Sequence, residues 1–86
     1  MNELGLAIRL ARVVSGKSQW DLAQKFGLHP VIVNYMEHGK RDIDPALARA
    51  MVKELKTSAP KKSHLADFVF NEVEKVVNSV GNESQH

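Results

Sequence analysis

Cysteine is absent from the chain. That removes disulfides, zinc–thiolate sites and thiol catalysis, and it fits a reducing compartment. Long apolar runs are missing too: none approaches the roughly 18 residues needed to span a bilayer. The first stretch, MNELGLAIRLARVV, has an early acid and two internal arginines, unlike a signal peptide. Together these absences lead to the expectation of a soluble cytoplasmic protein. The histidines at positions 29, 38, 64 and 86 lack the close helical spacing and companion carboxylates of a metal site. No glycine loop is arranged to cradle a phosphate, and no nucleophile stands beside an obvious base. Nothing in the residues argues for an enzyme, a cofactor or a bound metal.

What is present fits one small domain. A chain of 86 residues buries a modest core and sits near the lower limit for folding alone, so help from a partner subunit would be unsurprising. The net charge of +2 hides an asymmetry: residues 1–63 carry a balance of +5 and residues 64–86 a balance of −3. A basic front and a mildly acidic back suggest a polyanion-binding body with an appended segment of another purpose.

The apolar pattern is helical throughout. Leu4, Ala7, Ile8, Ala11 and Val14 recur at spacings of three and four, giving a first helix over 3–14 that Gly16 can stop. Ser18, with Asp21 three residues on, marks a capping box ahead of a short second helix that ends at Gly27. Pro30 suits the first position of a third helix closed by Gly39, and Asp44 caps a fourth that begins at Pro45. Residues 57–63, TSAPKKS, have no periodicity and read as a linker. In residues 64–80, Leu65, Phe68, Val69, Val73, Val76, Val77 and Val80 form a stripe. Its valines also suit a strand, but acids and Lys75 fill the opposite face and favour a fifth, amphipathic helix. Residues 81–86 are expected to be a frayed tail. The fold class expected is all-α: a compact four-helix bundle over residues 1–56 with a helix-turn-helix inside it, then the C-terminal helix.

Two short helices joined through a glycine, in a chain without strands, form a helix-turn-helix arrangement, in which the second helix stands proud and fits the major groove of DNA. The stretch SQWDLAQKFGLHPVIVNYMEHGKRDID goes further. With Arg12, Ser18, Gln19, Leu22, Ala23, Gly27, Val33, Glu37 and Gly39 at matching places, it closely resembles the Cro and phage-repressor type of helix-turn-helix domain, the xenobiotic-response-element class of bacterial and phage regulators. The resemblance spans about residues 4–56.

That resemblance implies roles residue by residue. Gln19 matches a position that contacts a DNA phosphate and braces the reading helix. Ser18 stands beside it at the helix N-terminus, where backbone amides also favour phosphate. Arg12 and Glu37 match a largely buried architectural salt bridge. Leu28, Val33 and Met36 match core positions. His29, Pro30, Val31, Asn34 and Tyr35 match positions that point at the groove, with Ile32 at the flank. The family often places Ser, Thr, Gln or Arg at the start of this helix, and this sequence does not, so strong polar readout there is in doubt. Asn34 can pair with adenine, Tyr35 with a base edge or phosphate, and Pro30 or Val31 can pack on a thymine methyl. Lys40 and Arg41 fall where the family's loop meets the phosphate backbone. Arg9 could face phosphate or solvent, and Lys17, Lys25, Lys61 and Lys62 are weaker candidates.

The resemblance further implies a dimer on a palindromic operator. The stripe from Leu65 to Val80 can pair with its twin, pack back on its own domain, or be captured by another protein such as a toxin or an antirepressor. The reading that best joins these features is a dimeric transcriptional repressor of double-stranded DNA. An antitoxin that autoregulates its operon, or an adaptor that binds only protein, remain alternatives.

Overall fold

The computed structural model describes residues 3–59 and 63–83, with side chains as far as residue 79. Five helices make up the fold: α1 Glu3–Val14, α2 Gln19–Lys25, α3 Pro30–Glu37, α4 Pro45–Ser58 and α5 His64–Glu83. No strand occurs among the described residues.

Helices α2 to α5 start where local chemistry satisfies free amides. Ser18 and Asp21 form the full capping box: Ser18 Oγ accepts from the Asp21 amide and Asp21 Oδ2 from the Ser18 amide, both at 3.0 Å. His29 Nδ1 accepts from the Val31 amide at 3.1 Å ahead of Pro30, and Asp44 Oδ1 accepts from the Ala46 amide at 3.2 Å ahead of Pro45. Ser63 does the same for α5, its hydroxyl accepting from the Ala66 amide at 3.1 Å. At the end of α2 the chain must reverse within three residues, and Gly27 does so at φ 66°, where a side chain would be strained. The Leu28 amide then bonds back to the Ala23 carbonyl at 2.9 Å and the Leu28 side chain packs on the core. The same backward bond closes α1, from Lys17 to Arg12, and α3, from Lys40 to Tyr35.

α1 lies at the centre, packed on α3, α4 and α5; α2 packs on α3, and α4 on α5. The core joins Ile8 and Ala11 of α1 to Leu22, Ala23, Val33 and Met36 of the short helix pair and to Ala48, Met51, Val52 and Leu55 of α4. Ser15 is buried with them, and its hydroxyl donates to the carbonyls of Ala11 at 2.7 Å and Leu55 at 3.2 Å, tying the end of α1 to the end of α4.

α5 differs from the sequence reading in three ways. It continues through Glu83, so residues 81–83 are helical where a tail was expected; residues 84–86 lie outside the described residues. The expected linker is shorter, because Thr57 and Ser58 belong to α4 and Ser63 caps α5, while residues 60–62, including Lys61 and Lys62, are outside the described residues. The stripe also divides. Val73 and Val77 are buried in this chain's own core with Ala66 and Phe70, and Val69 and Val76 pack at its edge. Leu65 and Phe68 stay 68% and 63% exposed. Val80 lies outside the described side chains. The physical reason is the width of the pattern. Residues 66, 70, 73 and 77 form one line, and a stripe from 65 to 80 wraps past it on one side. Each of Phe70, Val73 and Val77 contributes about 1.5–3 kcal/mol by burial, so α5 is part of the folded unit.

Where α1 meets the last turn of α3 the backbones nearly touch. A Cβ built at Gly5 would collide with the Met36 carbonyl oxygen and stand 3.2 Å from that of Glu37. Gly5→Ala should therefore destabilise the protein by about 1–3 kcal/mol, the cost of overpacking a tight core. Urea denaturation checks this, and a midpoint equal to wild type would show that the two helices part without penalty.

Candidate nucleic-acid interface

α3 is divided lengthwise. Val33 and Met36 point into the core, 0% and 2% exposed, while Ile32 is partly buried at its edge. On the other side Val31 and Tyr35 are 40% and 42% exposed, and Asn34 and Pro30 are half-buried. Val31, Asn34 and Tyr35, at spacings of three and four, share one face. His29 stands exposed at its start and His38 at its end. No residue of this face is an acid, a lysine or an arginine.

The cap at the head of α3 fixes the state of His29. Because Nδ1 accepts from the Val31 amide, the proton of the neutral ring sits on Nε2, so the ring offers the solvent side a donor. His38 Nδ1 lies 2.8 Å from the Asn34 carbonyl, so this ring is also held against α3.

Behind the face lies a network centred on Glu37, whose side chain is wholly out of water. Arg12 of α1 grips it from both nitrogens: Nε to Oε2 at 2.6 Å and Nη2 to Oε1 at 3.0 Å. Arg12 Nη1 also donates to the Lys17 carbonyl at 2.9 Å. Gln19 Nε2 donates to Glu37 Oε1 at 3.0 Å, and Asn34 Nδ2 donates to Gln19 Oε1 at 3.4 Å. Arg12 and Glu37 thus meet as the resemblance implies. Removing one of them would leave a buried charge, at a cost of about 3–5 kcal/mol.

This network bears on two residues first assigned to phosphate. The Gln19 amide is engaged at both ends within the protein, which makes its side chain a brace between α2 and α3. The Ser18 hydroxyl accepts from its own helix. Asp21, exposed at the same corner, adds a negative charge there. Of the exposed basic groups with no ion pair among the described residues, Lys40 and Arg41 directly follow α3 and Arg9 lies on α1, while Lys53 lies on α4. Lys25 instead faces Glu54 at 3.8 Å, an exposed pair of little energetic weight. Trp20, 54% exposed at the start of α2, was not singled out from the sequence; an exposed tryptophan has no signature in an apolar pattern that also fits a buried one.

Among the described residues no three His, Asp or Glu side chains are grouped to hold a metal ion, and no helix is long and apolar enough to cross a membrane. Comparison with family models, curated proteins and solved structures finds no match to this chain.

Asp21 offers a test of the local architecture. The Ser18 backbone amide, then the Ser18 hydroxyl, stabilise its carboxylate and hold it below its ordinary 3.8. A depressed acid contributes stability above its unfolded value and loses it as pH falls through the folded one. Wild type should therefore lose more stability than Asp21→Asn between about pH 5 and pH 2. Thermal melts across that window measure the difference, and parallel curves would mean that the capping box makes no pH-dependent contribution.

Proposed function

We propose that this protein is a sequence-specific double-stranded DNA-binding transcriptional regulator, a repressor of bacterial or phage type that works as a homodimer in the cytoplasm. The observation that supports this best is the outer face of α3. It is free of core duty, capped at both ends, braced from behind by the Glu37 network, and followed by two basic residues with no ion pair among the described residues. A helix so presented fits the major groove, where Val31 and Pro30 can meet thymine methyls, and Asn34, Tyr35 and His29 can bond to base edges. Lys40, Arg41 and Arg9 supply phosphate contacts that position the helix without reading sequence.

A second exposed surface supports pairing of subunits. Leu6, Leu10 and Val13 lie at spacings of four and three on the outside of α1, between 42% and 60% exposed. Leu6 and Leu10 line a groove with Val76 of α5, floored by the buried Val73 and rimmed by Glu3 and Glu72. Leu65 and Phe68 continue the same side of α5, seven and four residues before Glu72. We assign this surface, shared by α1 and α5, to a second copy of the chain. A dimer would match a two-fold symmetric operator. The pairing surface thus keeps Leu65, Phe68 and Val76 of the expected stripe, adds α1, and leaves Val73 and Val77 to the core.

Binding of a selected duplex should weaken steeply with salt, and Arg41→Ala should reduce the slope of log K against log salt by about 1. A chain that selects no duplex from a random pool, or binds without salt dependence, would be left as a protein-interaction module. For the pairing surface, Leu10→Glu should convert a dimer into a monomer in sedimentation with its melting temperature nearly kept. This variant avoids deleting α5, which would empty the core. An unchanged dimer would reject the assignment.

A further inference from the structure

The buried carboxylate of Glu37 bears on orientation two hydrogen bonds away, at Asn34 on the outer side of α3. A carboxylate accepts hydrogen bonds and never donates them. Glu37 Oε1 receives both Arg12 Nη2 and Gln19 Nε2 at 3.0 Å, in a place closed to water. Gln19 must therefore turn its amino end toward Glu37, since its oxygen there would oppose a carboxylate oxygen. That sends Gln19 Oε1 to the other side, where it receives Asn34 Nδ2 at 3.4 Å. Asn34 is oriented in turn, because its own oxygen in that position would face another acceptor. Asn34 keeps Oδ1 and one Nδ2–H, neither of them bonded to another of the described residues.

We propose that this relay makes Asn34 a preoriented reader of adenine, with Glu37 and Gln19 as positioning residues. The inference rests on the DNA-binding reading above. The free pair on Asn34, an acceptor beside a donor, is complementary to the major-groove edge of adenine: N6–H donates to Oδ1 and N7 accepts from Nδ2–H. Guanine offers two acceptors there, N7 and O6, and leaves Oδ1 without a donor. Cytosine offers only a donor and thymine only an acceptor, so neither completes the pair. The Arg12–Glu37 ion pair thereby takes part in sequence selection without touching DNA.

The test uses full-length protein and a duplex selected from a random pool, with the base pair governed by Asn34 found as the one whose preference Asn34→Ala erases. Gln19→Met keeps the length of the side chain and removes the relay. It should lower the preference for adenine at that pair by about threefold to tenfold, the range for freeing a side-chain rotor, while preferences elsewhere in the site stay put. A uniform loss on all duplexes would instead mark Gln19 as a phosphate contact, and an unaltered adenine preference would show that the relay orients nothing; either overturns the proposal. So does a preference for guanine at the Asn34 position. In the free protein, side-chain amide exchange by NMR gives an independent reading. One Asn34 amide proton should be protected in wild type and neither in Gln19→Met, and equal exchange in both proteins overturns the relay. If no duplex is bound at all, the functional reading falls first; if duplexes are bound without this adenine preference, only the relay's role falls.

Discussion

Glu37 sits in the last turn of α3 with its carboxylate out of water, in a place where an unpaired charge is among the most costly things a small protein can hold. Arg12 and Gln19 meet that demand with three donated hydrogen bonds. Because the donors come from α1 and α2, satisfying one charge locks three helices together. The Gly5 contact acts at the same junction: α1 approaches the carbonyls of Met36 and Glu37 so closely that no side chain fits between. Close approach and ion pair both join α1 to the last turn of α3. Only a glycine lets α1 come near enough, and only the fork of Arg12 holds both carboxylate oxygens at once. An apolar set of the same shape could be as stable, so stability alone does not explain the pair. Orientation does, since a carboxylate dictates which way the amides around it turn and a methyl group dictates nothing.

The reading face itself is poor in polar groups. Between Pro30 and Met36 no residue is charged, and the helix start that offers a polar side chain in many similar domains offers proline and valine here. Under the proposed DNA-binding function, affinity would come from beside the helix, from Lys40, Arg41 and Arg9, and discrimination from few hydrogen bonds plus shape against methyl groups. Under that division each remaining polar group carries more weight. His29 and Asn34 are both held by the protein in one orientation, His29 by its cap and Asn34 through Gln19. A face with few polar groups gains selectivity when those groups are not free to turn.

Helix ends were legible in the sequence because their chemistry is local. Ser18 with Asp21, Pro30, and Asp44 with Pro45 each mark a boundary within four residues, and Gly27 marks the turn, whereas the cap that His29 supplies ahead of Pro30 was not read from the sequence. Ser63 escaped because it stands in a polar stretch with no periodicity, where an N-cap and a linker serine look alike. The line Ala66, Phe70, Val73, Val77 was hidden by apolar neighbours at 65 and 68, since periodicity gives the width of a stripe but not which edge meets the core. The links from Gln19 to Glu37 and from Asn34 to Gln19 span 18 and 15 residues, and no local pattern carries them. The resemblance to phage-repressor domains supplied the Arg12–Glu37 pair. It also gave Gln19 the bracing of α3, and the contacts of its side chain with Glu37 and Asn34 have that form.

α1 joins the two surfaces assigned to function. Its inward side reaches α3 through Arg12 and Gly5, and its outward side carries Leu6, Leu10 and Val13 toward the proposed partner. α5 completes the core with Phe70 and Val77 while adding Leu65 and Phe68 to that outward surface. Pairing and reading are therefore not separate modules joined by a linker, despite the charge asymmetry that first suggested an appended segment. In the proposed dimer, the distance between the two reading helices is set by how two copies of α1 and α5 pack, with only one helix's thickness between the pairing surface and α3. A rigid path of that length leaves little freedom in half-site spacing, so the spacing of the operator becomes a property of the packing between α1 and α3.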